Sequence, residues 1–484
     1  MKTLNMNFKR RDFLKAISIG VASVAVCDVF WGCKSSSSRP NIIYILADDL
    51  GYGELGCYGQ QKIKTPHIDK LAAQGMKFTQ HYSGSPVCAP SRCTLLTGKH
   101  TGHCYVRDND EMGGWEDPTK EGQRPLPPDT KTLASILKKA GYTTGAIGKW
   151  GLGGPGTTGE PNKQGFDYFY GYNCQRQAHS YYPTHLWRND KKHMLEGNEN
   201  GRQEEYSHDL MANDALKFIK DNKDRRFFLY IPFTIPHVSI QVPEDSLNEY
   251  KDKWPETPFI GKHYASHSTP RAGYAAMITR MDRDIGRIMA LLKELGLDNN
   301  TLVIFSSDNG PTFAGGVDAE FFKSAGPLRG LKCSVYEGGI RVPMVARWPG
   351  HIAPGTTSDH VSAFWDVLPT LAEIAEAPVP KDIDGISFRP ALLGKTGQKK
   401  HDFLYWEYHS YGGRQAVRMG DWKGIRLNVK ENPNGPIELY NLRKDIGEEE
   451  NVAGKHPDIV KKIDKVMKSR TPSEIPKWNF GVKA

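Results

Sequence analysis

Short runs of apolar residues alternate with amphipathic segments over most of the chain. Residues 41–49, 226–233 and 301–310 are rich in β-branched and aromatic side chains, and we predict that they are strands buried on both faces. Residues 271–296 carry apolar side chains at the spacing of one helix face, which predicts a long amphipathic helix. This alternation favours an α/β fold, with a mostly parallel sheet covered by helices on both faces.

The same pattern, together with capping residues, predicts further elements. The predicted helices are residues 65–75, 129–142 and 364–375, and the predicted strands are residues 76–83, 143–150 and 341–350. Residues 151–207 are rich in Gly, Tyr, His and Asn and have little periodicity. We predict that they are an insertion that lines a site.

From about residue 380 the pattern changes to short strands. Three strand-like segments at residues 402–409, 415–428 and 437–445 are followed by a helical segment at residues 456–469. We therefore predict two parts after the N-terminal segment. Residues 34–379 form a large α/β domain, and residues 380–484 form a small subdomain in which an antiparallel sheet packs against a helix.

Residues 1–33 are predicted to be an export signal. A basic head that includes Arg10 and Arg11 precedes an apolar run that is too short to span a membrane, and the arginine pair is typical of twin-arginine signals. Cys33 is followed by a lysine and four serines, so lipid modification of Cys33 and simple cleavage are both left open. We expect an exported protein, in the periplasm or held at the outer membrane as a lipoprotein, with this lipid as its only link to a membrane.

The charge of the chain excludes one class of partner. The 484 residues carry a net charge of +9, which falls to +6 when the five basic and two acidic side chains of residues 1–33 are removed. The remaining charge is scattered, and the short cluster at residues 399–401 is interpreted as a solvated loop, so nucleic acid is not an expected partner. A mildly basic surface favours anionic substrates.

Acidic residues follow two of the predicted strands. Asp48 and Asp49 end the first strand, and Asp308 and Asn309 end the strand at residues 301–310. In open α/β sheets, ligands bind outside the carboxyl ends of strands. Carboxylates with an amide oxygen suit a hard cation such as Ca²⁺ or Mg²⁺. The alternative, that each pair caps a helix or a turn, stays open.

Cys88 stands at the predicted start of a helix, in the stretch SPVCAPSRCTLLTG with Pro90 near the first helical position. Backbone N–H groups at a helix start favour an anion, and Arg92, one turn further on, can reach back toward residue 88. An unmodified cysteine in this place is expected to be a thiolate with a lowered pKa, and hence a candidate nucleophile. The alternative is a buried structural thiol.

Five segments of the chain, in order, resemble the motifs of type I sulfatases. In chain order, the matching segments are LADDLGYGELGCYG at residues 46–59, CAPSRCTLLTG at 88–98, GYTTGAIGKWGLG at 141–153, SSDNGP at 306–311 and the lysine segment at 326–350. The resemblance implies an alkaline-phosphatase-like fold: a large mixed, mostly parallel sheet between helices, with a smaller antiparallel sheet and helix at the C-terminus. The implied activity is the hydrolysis of sulfate esters.

The resemblance also implies a modified nucleophile and a metal. A formylglycine-generating maturase would oxidise Cys88 to formylglycine, and one hydroxyl of the hydrated aldehyde would attack sulfur while the other later expels sulfate. One Ca²⁺ per subunit would bind this residue and a sulfate oxygen. The matching ligands are Asp48, Asp49, Cys88, Asp308 and Asn309.

Four more residues match catalytic positions of the family. Arg92 matches the residue that orients the nucleophile, and Lys149 and Lys332 match lysines that contact sulfate and the nucleophile. His237 matches the histidine that protonates the leaving alcohol or binds sulfate. Taken alone, His237 is a common structural histidine, but its place after the strand at residues 226–233 favours the catalytic interpretation.

One departure from the family concerns Gly151, which stands where many relatives have histidine. That histidine is thought to deprotonate the hydrated aldehyde. We hypothesise that His179, in the predicted insertion, fills this role or grips the substrate; the alternative is a surface loop histidine.

The predicted insertion and the export signal together favour a sulfated glycan as substrate. The insertion offers aromatic faces with polar groups beside them, which suit sugars: Gln175, Arg176, Tyr181, Tyr182 and Trp187. By analogy, the sugar is galactose sulfate or N-acetylgalactosamine sulfate.

Two other functions stay open at this point. One is a phosphodiesterase or phosphonate monoester hydrolase of the same superfamily, which two metals with several histidine ligands would favour. The other is a catalytically inactive exported glycan-binding protein that keeps the fold without the chemistry.

Overall fold

The computed structural model describes residues 39–112 and 120–481, so the predicted export signal and Cys33 lie outside the described residues. Within these ranges, eleven strands form one large sheet and four strands form a small antiparallel sheet. None of the helices in the described ranges combines the length and the apolar character that crossing a membrane requires.

The large sheet has parallel strands at its centre and antiparallel strands beside them. Its strands are β1 (Asn41–Ala47), β2 (Met76–Tyr82), β3 (Thr143–Lys149), β4 (Tyr168–Tyr172), β5 (His185–Arg188), β6 (Lys191–Met194), β7 (Phe227–Pro232), β8 (Thr301–Ser307), β9 (Arg341–Arg347), β10 (Thr356–Ser358) and β11 (Ser362–Ala363). Their order is β10-β2-β9-β8-β1-β7-β3-β4-β5-β6, with β11 beside β2. Neighbouring strands from β8 to β4 are parallel, whereas β9, β5 and β6 pair antiparallel. The predicted mixed, mostly parallel sheet is confirmed.

Helices cover both faces of this sheet. The helices of the described ranges are α1 (Pro66–Ala73), α2 (Cys88–Thr97), α3 (Leu133–Lys139), α4 (Ser207–Asp221), α5 (Glu244–Leu247), α6 (Pro270–Glu294), α7 (Glu337–Ile340), α8 (Val367–Ile374), α9 (Arg389–Leu392) and α10 (Pro457–Met467), of which α10 packs on the small sheet. Because strand side chains alternate, Ile43 and Ile45 of β1 enter the core beneath α1, α4 and α6. Ile42 and Tyr44 enter the opposite core, beneath α2, α3 and α8. Burial on both faces explains the continuous apolar run of β1.

The small sheet lies between the large domain and a helix. Its strands, β12 (Leu404–Tyr408), β13 (Arg414–Met419), β14 (Trp422–Leu427) and β15 (Glu438–Asn441), form an antiparallel meander. Trp406 packs with Tyr82 and Trp365 of the large domain, whereas Tyr405, the residue before it, faces Ile463 of α10. The predicted antiparallel sheet with a packed helix is confirmed.

The predicted insertion at residues 151–207 contains sheet strands that the sequence analysis missed. Strand β4 pairs with β3 in parallel, and β5 and β6 extend the sheet further. β4 reads YFYGY and is buried over most of its length, so it shows no alternation of polar and apolar positions. Gly171 makes the pairing possible, because a side chain there would collide with the backbone of Gly148.

A buried ion-pair cluster joins the small sheet to the large domain. Lys423 Nζ of β14 lies 2.9 Å from Glu337 Oε1 and 2.9 Å from Glu448 Oε1, and all three side chains are inaccessible to solvent. Burial raises the pKa of Glu337, but the charges of Lys423, Arg341 and Arg418 together outweigh it and lower that pKa to about 2. Glu337 is therefore ionised, and its countercharge comes from Lys423 and from Arg341, whose Nη1 lies 3.3 Å from Glu337 Oε2.

Replacing Lys423 by alanine is expected to destabilise the protein by about 3–5 kcal/mol, because it removes the buried cation that Glu337 and Glu448 share. Urea unfolding measures the loss. The control is Lys444→Ala, at an exposed lysine near the same sheet, which is expected to cost less than about 0.5 kcal/mol. Equal costs for the two variants would contradict the role given to Lys423.

Candidate active site

The ends of two neighbouring parallel strands bring four polar residues together. The last residues of β1 and β8 are partners in register. Asp48 and Asp49 follow β1, Asp308 and Asn309 follow β8, and all four side chains are fully buried. The carboxyl ends of adjacent parallel strands meet at one edge of a sheet, so the residues predicted as metal ligands lie side by side.

Asp48 and Asp49 face the same point, although successive residues of an extended chain point in opposite directions. Asp49 has a φ of 67°, which is rare for a residue other than glycine and turns the chain at this place. Asp48, Asp49, Cys88 and His237 each offer a ligand atom, and these atoms lie within 4.8 Å of one another. The left-handed backbone conformation of Asp49 costs on the order of 1–3 kcal/mol, and this cost points to a functional constraint at residue 49.

Asn309 completes a set of oxygen donors. Its Nδ2 donates hydrogen bonds to Asp49 Oδ1 at 2.7 Å and to the Gly310 carbonyl at 2.9 Å. Its Oδ1 is buried and has no hydrogen-bond partner among the described residues. A buried acceptor without a donor is costly, so this oxygen is suited to a cation. Three carboxylates and one amide oxygen form the ligand chemistry that hard cations prefer.

The crowded carboxylates perturb one another. Burial raises the pKa of Asp308 to about 7, and the charge of Asp48 acts in the same direction. The pKa of Asp49 is also raised, with burial as the largest cause. Burial would likewise raise the pKa of Asp48, but the charges of Lys149 and Arg92 help to lower it well below its usual range. A cation in this place would favour the ionised form of all three carboxylates.

Cys88 is the first residue of α2 and borders the carboxylates. Its Sγ lies 3.6 Å from Asp48 Oδ1 and donates a hydrogen bond to it, and the residue is 2% exposed. Burial raises the pKa of this thiol to about 12, despite the nearby charges of Lys149 and Lys332. The predicted thiolate with a lowered pKa is therefore wrong, because desolvation outweighs the helix N-terminus and the cations.

Arg92 holds a carboxylate in place. Its Nε and Nη2 donate to Asp308 Oδ2 at 3.0 and 2.8 Å, and its Nη1 donates to the Lys149 carbonyl. The guanidinium is fully buried, and its hydrogen bonds go to these partners rather than to Cys88, toward which it was expected to reach. A carboxylate matches the planar fork of arginine far better than a thiol does.

Two lysines flank the carboxylates. Lys149, the last residue of β3, places Nζ 2.6 Å from Asp48 Oδ2, and Lys332 places Nζ 2.7 Å from Asp49 Oδ2. The side chain of Lys149 is 1% exposed and that of Lys332 is 13% exposed. The three cations Arg92, Lys149 and Lys332 therefore balance the three aspartates of the site.

His237 and His179 form a stacked pair beside Asp49. His237 Nε2 lies 3.5 Å from Asp49 Oδ2, and Nδ1 lies 2.6 Å from the Val238 carbonyl, so that Nδ1 carries a proton. The ring of His179 is nearly parallel to that of His237, with centroids 4.9 Å apart. Burial lowers the pKa of both imidazoles well below the usual value. His179 is thus half-buried and packs against His237, one of the residues of the ligand cluster.

The aromatic residues predicted to bind sugar divide into two groups. Tyr181 is fully buried and its hydroxyl donates to the carbonyls of Thr234 and His237, so it supports the site from within. Trp187 is buried and donates to a carboxylate. Tyr182 is partly exposed and lines a cavity of about 420 Å³ together with His179. Of these three aromatics, Tyr182 alone lines this cavity.

Two polar residues near Gly151, Gln175 and Asn109, lie outside the five sequence motifs. Gln175, predicted as a sugar-binding residue, lies against Gly151, and its amide Nε2 donates to Asn109 Oδ1 at 3.3 Å. The same oxygen accepts the N–H of Ala89, next to Cys88. Asn109 lies in a loop without recognisable spacing, so its position follows only from the fold.

Two family models match the chain. The one described as Sulfatase matches residues 40–377, and the one described as N-sulphoglucosamine sulphohydrolase, C-terminal, matches residues 331–473. Arylsulfatase A of Homo sapiens is 35% identical over 88% of this chain and 87% of its own. N-acetylgalactosamine-6-O-sulfatase of Bacteroides thetaiotaomicron is 30% identical over 90% of this chain and 93% of its own. The structure of Ps i-CgsB in complex with k-i-k-neocarrahexaose is similar with a TM-score of 0.75, at 29% identity, over 89% of this chain and 92% of that one.

These matches span both the large sheet and the small one. They agree with the position of the five motifs, which the fold gathers around the ends of β1, β3 and β8. The chain belongs to the type I sulfatase family, and it is a hydrolase of sulfate esters.

Proposed function

We propose that this enzyme removes sulfate from a sulfated glycan, with galactose sulfate or N-acetylgalactosamine sulfate as the favoured class. One relative is named for N-acetylgalactosamine-6-O-sulfate chemistry, and one similar structure holds k-i-k-neocarrahexaose. The cavity of about 420 Å³ beside His179 supports this proposal, because Tyr182, Ser239 and Gln241 offer hydrogen-bonding groups suited to hydroxyls.

Asp48, Asp49, Asp308 and Asn309 are proposed to hold one Ca²⁺. The buried Asn309 Oδ1 without a donor supports this ligand set. A bound Ca²⁺ would supply positive charge for the sulfate group and its leaving oxygen. Because the cations of the chain already balance its three aspartates, the loaded site would carry an excess of +2, which suits an anionic ester.

Residue 88 is proposed to act as formylglycine, made from Cys88 by a maturase that recognises the exported or nascent chain. Formylglycine supplies a hydrated aldehyde in place of a thiol, and hence an oxygen nucleophile. The motif around Cys88 and the position of its Sγ beside Asp48 support this assignment. The Asp48 carboxylate is suited to orient the group at residue 88.

The other residues have roles that follow from their contacts. Lys149 and Lys332 are proposed to bind sulfate oxygens when the cation takes over their aspartate partners. His237 directs Nε2 to the site because the proton on Nδ1 is bound to the Val238 carbonyl. The neutral ring has no proton on Nε2, so His237 would enter the step as the imidazolium, give its Nε2 proton to the leaving oxygen as the S–O bond breaks, and end as the neutral ring. Arg92 holds Asp308 in place, and its charge favours the ionised form of that carboxyl group.

The cluster of Asp48, Asp49, Cys88 and His237, with Asp308 and Asn309 in contact with Asp49, carries this proposal, and a substrate panel tests it. Protein produced together with a maturase should hydrolyse aryl sulfates with a far higher kcat/KM than aryl phosphates or phosphonates. Defined sulfated mono- and disaccharides then identify the sugar. A preference for phosphate or phosphonate esters would favour the phosphohydrolase alternative. Glycan binding without turnover, with Cys88 unmodified, would favour the binding protein.

His179→Ala is expected to reduce kcat/KM on a sulfated sugar by roughly 10–10²-fold, because it removes a ring that supports His237 and lines the proposed sugar cavity. The measurement compares kcat and KM with those of His263→Ala, at an exposed histidine on the outer part of the same cavity, which is expected to change them less. Near-normal turnover of His179→Ala on a good substrate would end the proposed role.

Export is a separate proposal. The basic head with Arg10 and Arg11 and the apolar run that follows it support secretion of the folded enzyme. Mass analysis of the mature N-terminus decides between lipid-modified Cys33 and simple cleavage.

A further inference from the structure

A side chain at Gly151 would crowd the amide of Gln175. Gly151 follows Lys149 by two residues and has a φ of 81°, in the left-handed region. A Cβ added at Gly151 would lie 3.1 Å from Gln175 Oε1 and 3.3 Å from Gln175 Cδ. The amide of Gln175 therefore occupies the space next to residue 151.

Gln175 is tied to the nucleophile by a short chain of hydrogen bonds. It is 5% exposed, and its Nε2 donates to Asn109 Oδ1 at 3.3 Å. Asn109 Oδ1 also accepts the N–H of Ala89 at 3.1 Å, at the start of the helix that begins with Cys88. Gln175 thereby contributes to the position of the first helical turn.

The second polar atom of Gln175 lacks a partner. Its Oε1 is buried and accepts no hydrogen bond from the described residues. An unsatisfied buried acceptor is costly, so this oxygen needs a donor such as an ordered water, a ligand or a catalytic group. The chemistry of the site supplies one kind of donor: a hydroxyl group.

We propose that Gln175 is a positioning residue, with its Oε1 accepting a hydrogen bond from a hydroxyl of the mature residue 88. This inference rests on the proposed formylglycine nucleophile. An amide oxygen is not a base at neutral pH, so Gln175 orients the hydroxyl and takes no proton from it. Gly151 is then glycine because Gln175 fills its side-chain space.

Gln175→Met tests the hydrogen bond, because methionine keeps the length of the side chain and removes its polar atoms. We expect kcat to fall roughly 10–10²-fold with KM changed less than about twofold. The same loss is expected on an aryl sulfate, which has no sugar hydroxyl, and on a sulfated sugar. The formylglycine content of residue 88 should match that of the wild type. A kcat within twofold of the wild type, or a loss limited to KM on the sugar, overturns the proposal.

A second set of variants does not depend on turnover. In protein made without maturase, Gly151→Ala should lower Tm more in the wild-type background than in Gln175→Gly, because its Cβ meets the amide only in the former. Equal decreases in Tm in the two backgrounds would contradict the conclusion that the Gln175 amide occupies the space next to residue 151. If wild-type protein itself failed to hydrolyse sulfate esters, the proposed function would fail, whereas an active wild type with an equally active Gln175→Met refutes this inference alone.

The double variant Gly151→His/Gln175→Gly exchanges the amide at residue 175 for an imidazole at residue 151. Histidine tolerates the left-handed region better than most residues, so folding is expected. The double variant should be at least tenfold more active than Gln175→Gly, with a kcat that falls as pH decreases through the pKa of the new imidazole, since a protonated ring accepts no hydrogen bond. A double variant no better than Gln175→Gly counts against the proposal.

Discussion

Replacing Cys88 by alanine is expected to abolish sulfate ester hydrolysis, with kcat lowered on the order of 10⁴-fold or more. The side chain stands at the first residue of α2, 3.6 Å from Asp48 and within the cluster of proposed metal ligands. Alanine offers neither a thiol nor a site for oxidation, so no nucleophile can form. The measurement is kcat on an aryl sulfate with maturase-treated protein.

A second cysteine in the same helix supplies the control. Cys93 is fully buried one turn further along α2 and is not part of the ligand cluster. Cys93→Ala should keep its turnover, and both variants should retain the wild-type far-UV circular dichroism. A Cys88→Ala protein with more than a few per cent of wild-type activity would exclude a covalent role for this residue.

Removing calcium, or one of its proposed ligands, is expected to have the second largest effect. The Asp49 carboxylate accepts hydrogen bonds from Asn309 and Lys332, and the backbone of Asp49 has a left-handed conformation. Asp49→Asn takes one negative charge from the ligand set, which should weaken Ca²⁺ binding by about 10²-fold or more. Calcium titration of protein made without maturase measures this affinity independently of turnover.

A chelator should have the same effect on the wild type. Activity should disappear in EGTA and return with added Ca²⁺, and the Tm should rise with the Ca²⁺ concentration because the ion binds only the folded site. Asp221→Asn, at an exposed aspartate at the end of α4, is the matched control and should bind Ca²⁺ normally. Full activity after exhaustive chelation would contradict the proposed metal.

The sequence predicts much of this site because its residues follow recognisable elements. Strands β1 and β8 are continuous apolar runs, so the positions of Asp48 and Asp308 at their ends could be predicted, and register brings them together. Cys88 and Arg92 are predicted by their motif. The fold class is predicted by the alternation of strands and helices, and the structure confirms it.

Properties that depend on tertiary burial could not be predicted from the sequence. The pKa of Cys88 is set by desolvation, which outweighs the helix N-terminus and the lysines that the sequence does indicate. Strand β4 is buried over most of its length and carries no alternating pattern. The contact of Gln175 with Gly151 joins two loops without regular spacing, so neither residue predicts the other.

The oxidation state of residue 88 in the mature enzyme is the most direct test of the account. Trypsin releases residues 78–92, with Cys88, and residues 93–99, with Cys93, as separate peptides. In active protein from its native host, the first peptide should have the mass of an aldehyde and the second that of an intact thiol. A first peptide that is wholly unoxidised in a preparation with full sulfatase activity would contradict the proposed nucleophile.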